Sequence, residues 1–160
     1  MTEKQTYIGK KVIHKPEGVC IVTEISEMAT SLTEARKYYK LVPVKEQSTA
    51  VYVPVESIKE HVRDLRSTEE VMNILESCEK ANVSWDNSEQ KRVTKRQTAM
   101  QNDDGVTLSK LIKTYHKRKE KKHLSVVDSN WLKKAEQFLC SEIAEVLKID
   151  FQQAICKITE

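Results

Sequence analysis

All three prolines and two of the three glycines fall in the first 54 residues, and this asymmetry divides the chain. Proline removes a backbone donor and fixes φ, while glycine supplies tight turns, so both end strands and break helices. Pro16, Pro43, Pro54, Gly9 and Gly18 punctuate short β-rich runs, whereas beyond residue 54 Gly105 stands alone. Four strands are expected: Lys11–His14, Val19–Ile25, Tyr38–Val44 and Thr49–Val53. In the second, Val19, Ile21, Thr23 and Ile25 alternate on one face. Turn signals at Pro16-Glu17-Gly18 and Glu46-Gln47-Ser48 separate neighbours, Ser26–Arg36 reads as an exposed loop, and Pro54 ends the last run. Short strands with tight connections over about 60 residues predict a small antiparallel barrel.

After residue 60 the apolar period becomes helical. Ser67 and Glu70 make a capping box ahead of Val71, Met72, Leu75 and Cys78. Leu108, Leu111, Ile112 and Tyr115 follow the i, i+3, i+4, i+7 rule within Thr107–Lys121. Ser125–Asp128 resembles a second capping box, opening a stripe of Trp131, Leu132, Ala135, Phe138, Leu139, Ile143, Val146 and Leu147. Asp150 can cap a last helix bearing Phe151, Ala154, Ile155 and Ile158. The expected architecture is α+β: a β module at 1–60, then an all-α bundle of four or five helices at 63–160. Trp131 reads as core. Segment 86–103 is polar nearly all round, with Val93, Ala99 and Met100 as a thin apolar edge, the mark of a peripheral or partner-binding helix.

The net charge of +3 is unremarkable, but its distribution is not. Residues 91–122 carry eleven Lys/Arg against three Asp/Glu, whereas residues 61–90 carry three against seven. A localised basic band points to a polyanion. Lys91, Arg92, Lys95 and Arg96 recur at i, i+4 and form one face if helical. Lys110, Lys113, Lys117, Arg118, Lys119, Lys121 and Lys122 extend it. No aromatic interleaving suggests single-strand stacking, and no helix-turn-helix glycine pattern suggests base readout. The contact expected is weak, salt-sensitive and largely sequence-neutral.

The four histidines are scattered at 14, 61, 116 and 123, and none of the four cysteines, Cys20, Cys78, Cys140 and Cys156, pairs at CxxC spacing. With no glycine-rich phosphate loop and no nucleophile context, no catalytic residue, metal, cofactor or small-molecule substrate is expected, and the thiols read as buried and reduced. No apolar run approaches a membrane span or a signal peptide core, so a cytoplasmic protein is expected.

Several segments together resemble the CarD-like transcription regulators. Ile8-Gly9 through Val12 and on to Pro16-Glu17-Gly18-Val19 is similar to that family's G-D-x-V-x-Y-P-x-x-G-V-G opening. Tyr38-Tyr39-Lys40-Leu41 resembles its Y-Y-x-L segment, and Val51-Tyr52-Val53-Pro54-Val55-Glu56 its M-V-P-V-E segment. Leu124-Ser125-Val126-Val127-Asp128 resembles L-S-x-x-E, and Ala135 to Ile143 the A-x-x-x-L-x-x-E-L helix. The resemblance implies a Tudor-like module that docks on the RNA polymerase β subunit through a sheet edge. It also implies a helical module that touches promoter DNA at the upstream edge of the bubble and stabilises the open complex, associating the chain with the nucleoid through polymerase.

Trp85 matches the family tryptophan that wedges into the minor groove. The site residues implied for DNA are Trp85, Lys91, Arg92, Lys95, Arg96, Lys117 and Arg118. Those implied for polymerase are Met28, Thr49, Val51, Tyr52 and Val53. Met28 and Tyr52 stand where many members place basic residues, and Ser129-Asn130 where a Lys-Arg pair is common. These departures keep a second class open, a protein–protein adaptor that docks to polymerase without productive DNA contact.

Overall fold

The computed structural model describes residues 7–29 and 34–160 and divides into two compact units, Met1–Leu65 and Arg66–Glu160. The first unit is one antiparallel sheet of β1 (Lys11–His14), β2 (Gly18–Met28), β3 (Arg36–Pro43), β4 (Val51–Pro54) and β5 (Val62–Arg63), in the order β4-β3-β2-β1-β5. The turn between β1 and β2 is closed by Gly18 at φ +87°, a conformation that a side chain disfavours. The stretch Ser26–Arg36, expected as loop, is largely ladder: Ser26 pairs with Tyr38, Glu27 with Lys37 and Met28 with Arg36. Residues 30–33 of that stretch lie outside the described residues.

The expected barrel does not close. Among the described residues the terminal strands β4 and β5 do not pair, and the sheet stays open. The chain between them, a 3₁₀ turn at Val55–Ser57 and the short helix α1 (Ile58–His61), instead folds Val55 and Ile58 into the core. That core consists of Val12, Cys20, Val22, Tyr39, Leu41 and Val53 with those two. The expected placing of Val19, Ile21, Thr23 and Ile25 on one face of β2 is corrected, because Cys20 and Val22 face this core together with Ile25, while Thr23 is exposed. A bulge between Val22 and Glu24 adds one residue, which reverses the parity of the strand and brings Ile25 onto the same cluster opposite Tyr39. Cys20 is wholly buried, and that burial, with the charge of Glu17, pushes its thiol up to about 12.

The second unit is five helices: α2 (Thr68–Lys80), α3 (Glu89–Gln101), α4 (Gly105–Lys121), α5 (Val126–Leu147) and α6 (Phe151–Thr159). Each begins on the cap its sequence offers. Ser67 and Asp150 make reciprocal capping boxes with Glu70 and Gln153. Ser88, Asp104 and Ser125 accept from the backbone N–H of Lys91, Thr107 and Asp128. Ser125 does not complete a box, since the Asp128 carboxylate turns inward to arginine (below). The stripes of α2, α4, α5 and α6 meet in one core around Leu108, Ile112, Phe138, Leu139, Ile143 and Ile158. Cys78 and Cys140 are buried in it, whereas Cys156 is only half-buried.

The buried polar groups of this unit include Lys113 and Glu142. Lys113, 6% exposed, crosses from α4 to the end of α2 and donates to the carbonyls of Cys78 (2.9 Å) and Ala81 (3.2 Å), at the helix end where carbonyls lack the usual i+4 donor. The expectation that Lys113 extends the basic surface band is thereby corrected. Glu142 on α5 accepts from Arg66, the first residue of the unit. Helix α5 ends on Lys148 in the left-handed region, φ 56° and ψ 48°. Lys148→Gly removes that Cβ penalty at an exposed site and is expected to raise unfolding free energy by roughly 1 kcal/mol, checked by urea denaturation.

Candidate nucleic-acid interface

Trp85 lies on the extended segment between α2 and α3, which is pinned at both ends. Lys113 holds the Ala81 carbonyl, and at the other end the Asp86 carboxylate accepts from the Ser88 N–H at 2.9 Å. The indole is half-buried. Its ring meets Tyr115 edge-on, centroids 5.0 Å apart, and lies under two guanidinium groups, that of Arg92 at 4.6 Å and that of Arg118 at 5.2 Å. Trp85 also lines a concavity of about 480 Å³ with Val83, Ser84, Thr114, Lys117, Arg118, Glu120 and Lys121. An aromatic surface ringed by four cations suits a nucleic acid, whose bases stack and whose phosphates need neutralising.

The predicted basic face of α3 separates into two. Lys91 and Lys95 are exposed. Arg96 is not: at 6% exposure it donates to Asp128 (2.6 Å) and to the Tyr115 hydroxyl (3.2 Å) and lies 5.6 Å over the Trp131 ring. Arg92 is turned the same way, toward Asp128 at 3.5 Å and the Asp86 carbonyl at 3.0 Å. Arg96 is therefore an internal ion pair and cannot reach a phosphate without leaving its carboxylate. The physical reason is the i, i+4, i+7 spacing of Arg92, Arg96 and Ala99, which forms the inward face of α3, so that cations fill the place expected of Val93 and Met100. Trp131, expected as core, is half-buried at the margin of this cluster, its ring 4.9 Å from that of Tyr115. Burial raises the Tyr115 phenol above its usual range, outweighing the Arg96 hydrogen bond, so it remains a protonated partner.

Of the predicted DNA residues, the structure brings together Trp85, Arg92, Lys117 and Arg118, joined by Lys121 of the wider band. Sequence reading missed Asp128 and Tyr115 as the groups that hold this cluster. The spacing of Arg92, Arg96 and Ala99 was the one available sign that the arginines face inward.

In the first unit, β4 pairs only with β3 among the described residues, so its other side is an unpaired edge. Tyr52 is 42% exposed, Val51 is half-buried and Val53 faces the core, leaving Val53 only its main chain to offer. Thr49 precedes the strand, in a turn where its N–H donates to the Glu46 carbonyl. Met28, 39% exposed, sits on β2 opposite Arg36, past the point where β4 ends opposite Tyr38, so it does not share the β4 edge.

No helix among the described residues is long and apolar enough to cross a membrane, and no cluster of His, Cys, Asp or Glu there could hold a metal ion. Residues 7–66 match the family model described as the CarD-like/TRCF RID domain, and residues 70–159 match the CarD C-terminal domain. No curated protein matches the chain. The two matched modules follow one another across nearly its whole length, the first coinciding with the open sheet and the second with the five helices. The chain therefore belongs to the CarD-like family of RNA-polymerase-interacting transcription factors.

Proposed function

We propose that this protein docks on the β subunit of RNA polymerase through the β4 edge and leans the Trp85 surface on promoter DNA at the upstream edge of the bubble, modulating open-complex stability. The polymerase partner follows from the family. The choice of β4 is supported by its unpaired main chain, which can accept a partner strand by β-augmentation, with the exposed Tyr52 as the side chain nearest that partner. Thr49 and Met28 would act only from the flanks.

The observation that carries the DNA contact is the half-buried Trp85 at a concavity shared with Lys117, Arg118 and Lys121. Lys91 and Lys95 add exposed charge on α3. None of these makes a built base-reading fork, so the contact is sequence-neutral, and tethering to polymerase supplies the effective concentration that a weak contact needs. The protein then works on the nucleoid by way of polymerase.

Trp85→Ala is expected to shorten open-complex half-life about tenfold, the worth of one aromatic contact of ~1–3 kcal/mol on a base. Tyr52→Glu is expected to abolish capture of an isolated β-subunit lobe while the far-UV circular dichroism stays unchanged. Unaltered capture would move the polymerase contact off β4, and an unaltered half-life would remove Trp85 from the DNA.

A further inference from the structure

Arg92 belongs to the basic band, yet its surroundings are those of a support. Its Nη1 donates to the Asp86 carbonyl at 3.0 Å and its Nη2 faces the Asp128 carboxylate at 3.5 Å. Its Nε is buried without an acceptor among the described residues, and its guanidinium plane lies 4.6 Å from the Trp85 centroid. With 14% of its side chain exposed and its charge facing Asp128, it offers a phosphate little free surface. Arg118 is different. It covers the same indole at 5.2 Å, pairs with no carboxylate among the described residues and lines the concavity with Lys117 and Lys121.

We propose that Arg92 is a positioning residue, a strut anchored by Asp128 that holds the Trp85 indole in its DNA-facing posture, and that Arg118 is the guanidinium of the pair that takes a phosphate. This rests on the reading of Trp85 as a DNA contact. Asp128 reaches the indole by two routes. One is Arg92. The other runs through Arg96, which bonds the Tyr115 hydroxyl at 3.2 Å, to the Tyr115 ring against which the indole stands edge-on. A tryptophan on an extended segment would otherwise pay for its ordering at the moment of binding, and a strut removes that cost in advance.

The experiment uses the full chain with polymerase holoenzyme and a promoter, reading open-complex half-life, together with fork-DNA affinity of the full chain across salt concentrations. Arg118→Met is expected to lower the slope of log affinity against log salt by about 1, the loss of one phosphate contact. Arg92→Met is expected to leave that slope unchanged and to shorten the half-life about threefold, as loss of one cation–π support would. Because the strut acts through the indole, Trp85→Ala/Arg92→Met is expected to match Trp85→Ala alone, while Trp85→Ala/Arg118→Met falls below it.

A slope lowered by Arg92→Met to the same extent as by Arg118→Met would make Arg92 a phosphate ligand and overturn the proposal. So would a Trp85→Ala/Arg92→Met double variant shorter-lived than Trp85→Ala alone. Should Arg92→Met fail to fold, Arg92→Lys keeps the charge but not the flat fork, and a wild-type half-life there would equally end it. A silent Trp85→Ala sinks the wedge reading and the strut with it. An effect of Trp85→Ala beside a silent Arg92→Met sinks the strut alone.

Discussion

Glu142→Ala is expected to lower the stability of the helical unit by roughly 3–5 kcal/mol, the usual result of removing one partner from a buried ion pair. Glu142 is 0% exposed. One carboxylate oxygen accepts from the Arg66 backbone N–H at 2.7 Å and the other from its Nη1 at 2.6 Å. Its Nη2 donates to the Asp103 carbonyl at 2.7 Å and carboxylate at 3.1 Å. Arg66 thus ties the start of the unit to the middle of α5 and to the corner between α3 and α4, where Asp103 holds φ 50°. Alanine leaves a guanidinium largely out of water with half its partners gone. In a unit of this size each kcal/mol moves the melting temperature by about 4–8 °C, so a drop of roughly 12–40 °C is expected in the melt followed at 222 nm. Glu142→Gln keeps an acceptor and is expected to lose less, roughly 1–3 kcal/mol. A melt unchanged by alanine would show that the network adds no net stability.

Asp128→Ala is the second large loss, again about 3–5 kcal/mol by urea denaturation. The carboxylate lies between two arginines, 2.6 Å from Arg96 and 3.5 Å from Arg92. Arg96 would be left with the Tyr115 hydroxyl as its hydrogen-bond partner inside the protein. The helix start itself should survive, because the cap is the Ser125 hydroxyl accepting from the Asp128 backbone N–H, which alanine retains. The diagnostic comparison is Arg96→Met/Asp128→Leu. Removing both charges spares their desolvation, so the double variant is expected to be more stable than Asp128→Ala, with a coupling of ~1–3 kcal/mol between the two sites. Strict additivity would mean the pair acts as two independent surface charges.

The sequence by itself determined the order of modules, the caps and the apolar stripes. These are local properties: Ser67, Asp104 and Asp150 act on N–H groups three residues away, and Leu108, Leu111, Ile112 and Tyr115 share a face because a helix repeats every 3.6 residues. Family resemblance pointed to Trp85 and to a docking edge, but which strand stands at that edge, and that the sheet stays open, came from the pairing of the strands. Only the tertiary structure decided what each charge does. Arg96, Lys113 and Glu142 look in sequence like any solvated ion, and each is buried because a partner 32 or more residues away compensates it: Asp128 for Arg96, the α2 carbonyls for Lys113, Arg66 for Glu142. Burying a charge costs several kcal/mol unless a partner is positioned to meet it, and that position depends on how helices pack, which no local pattern encodes. The same holds for β2, where one bulged residue reversed an alternation that the sequence presents as unbroken.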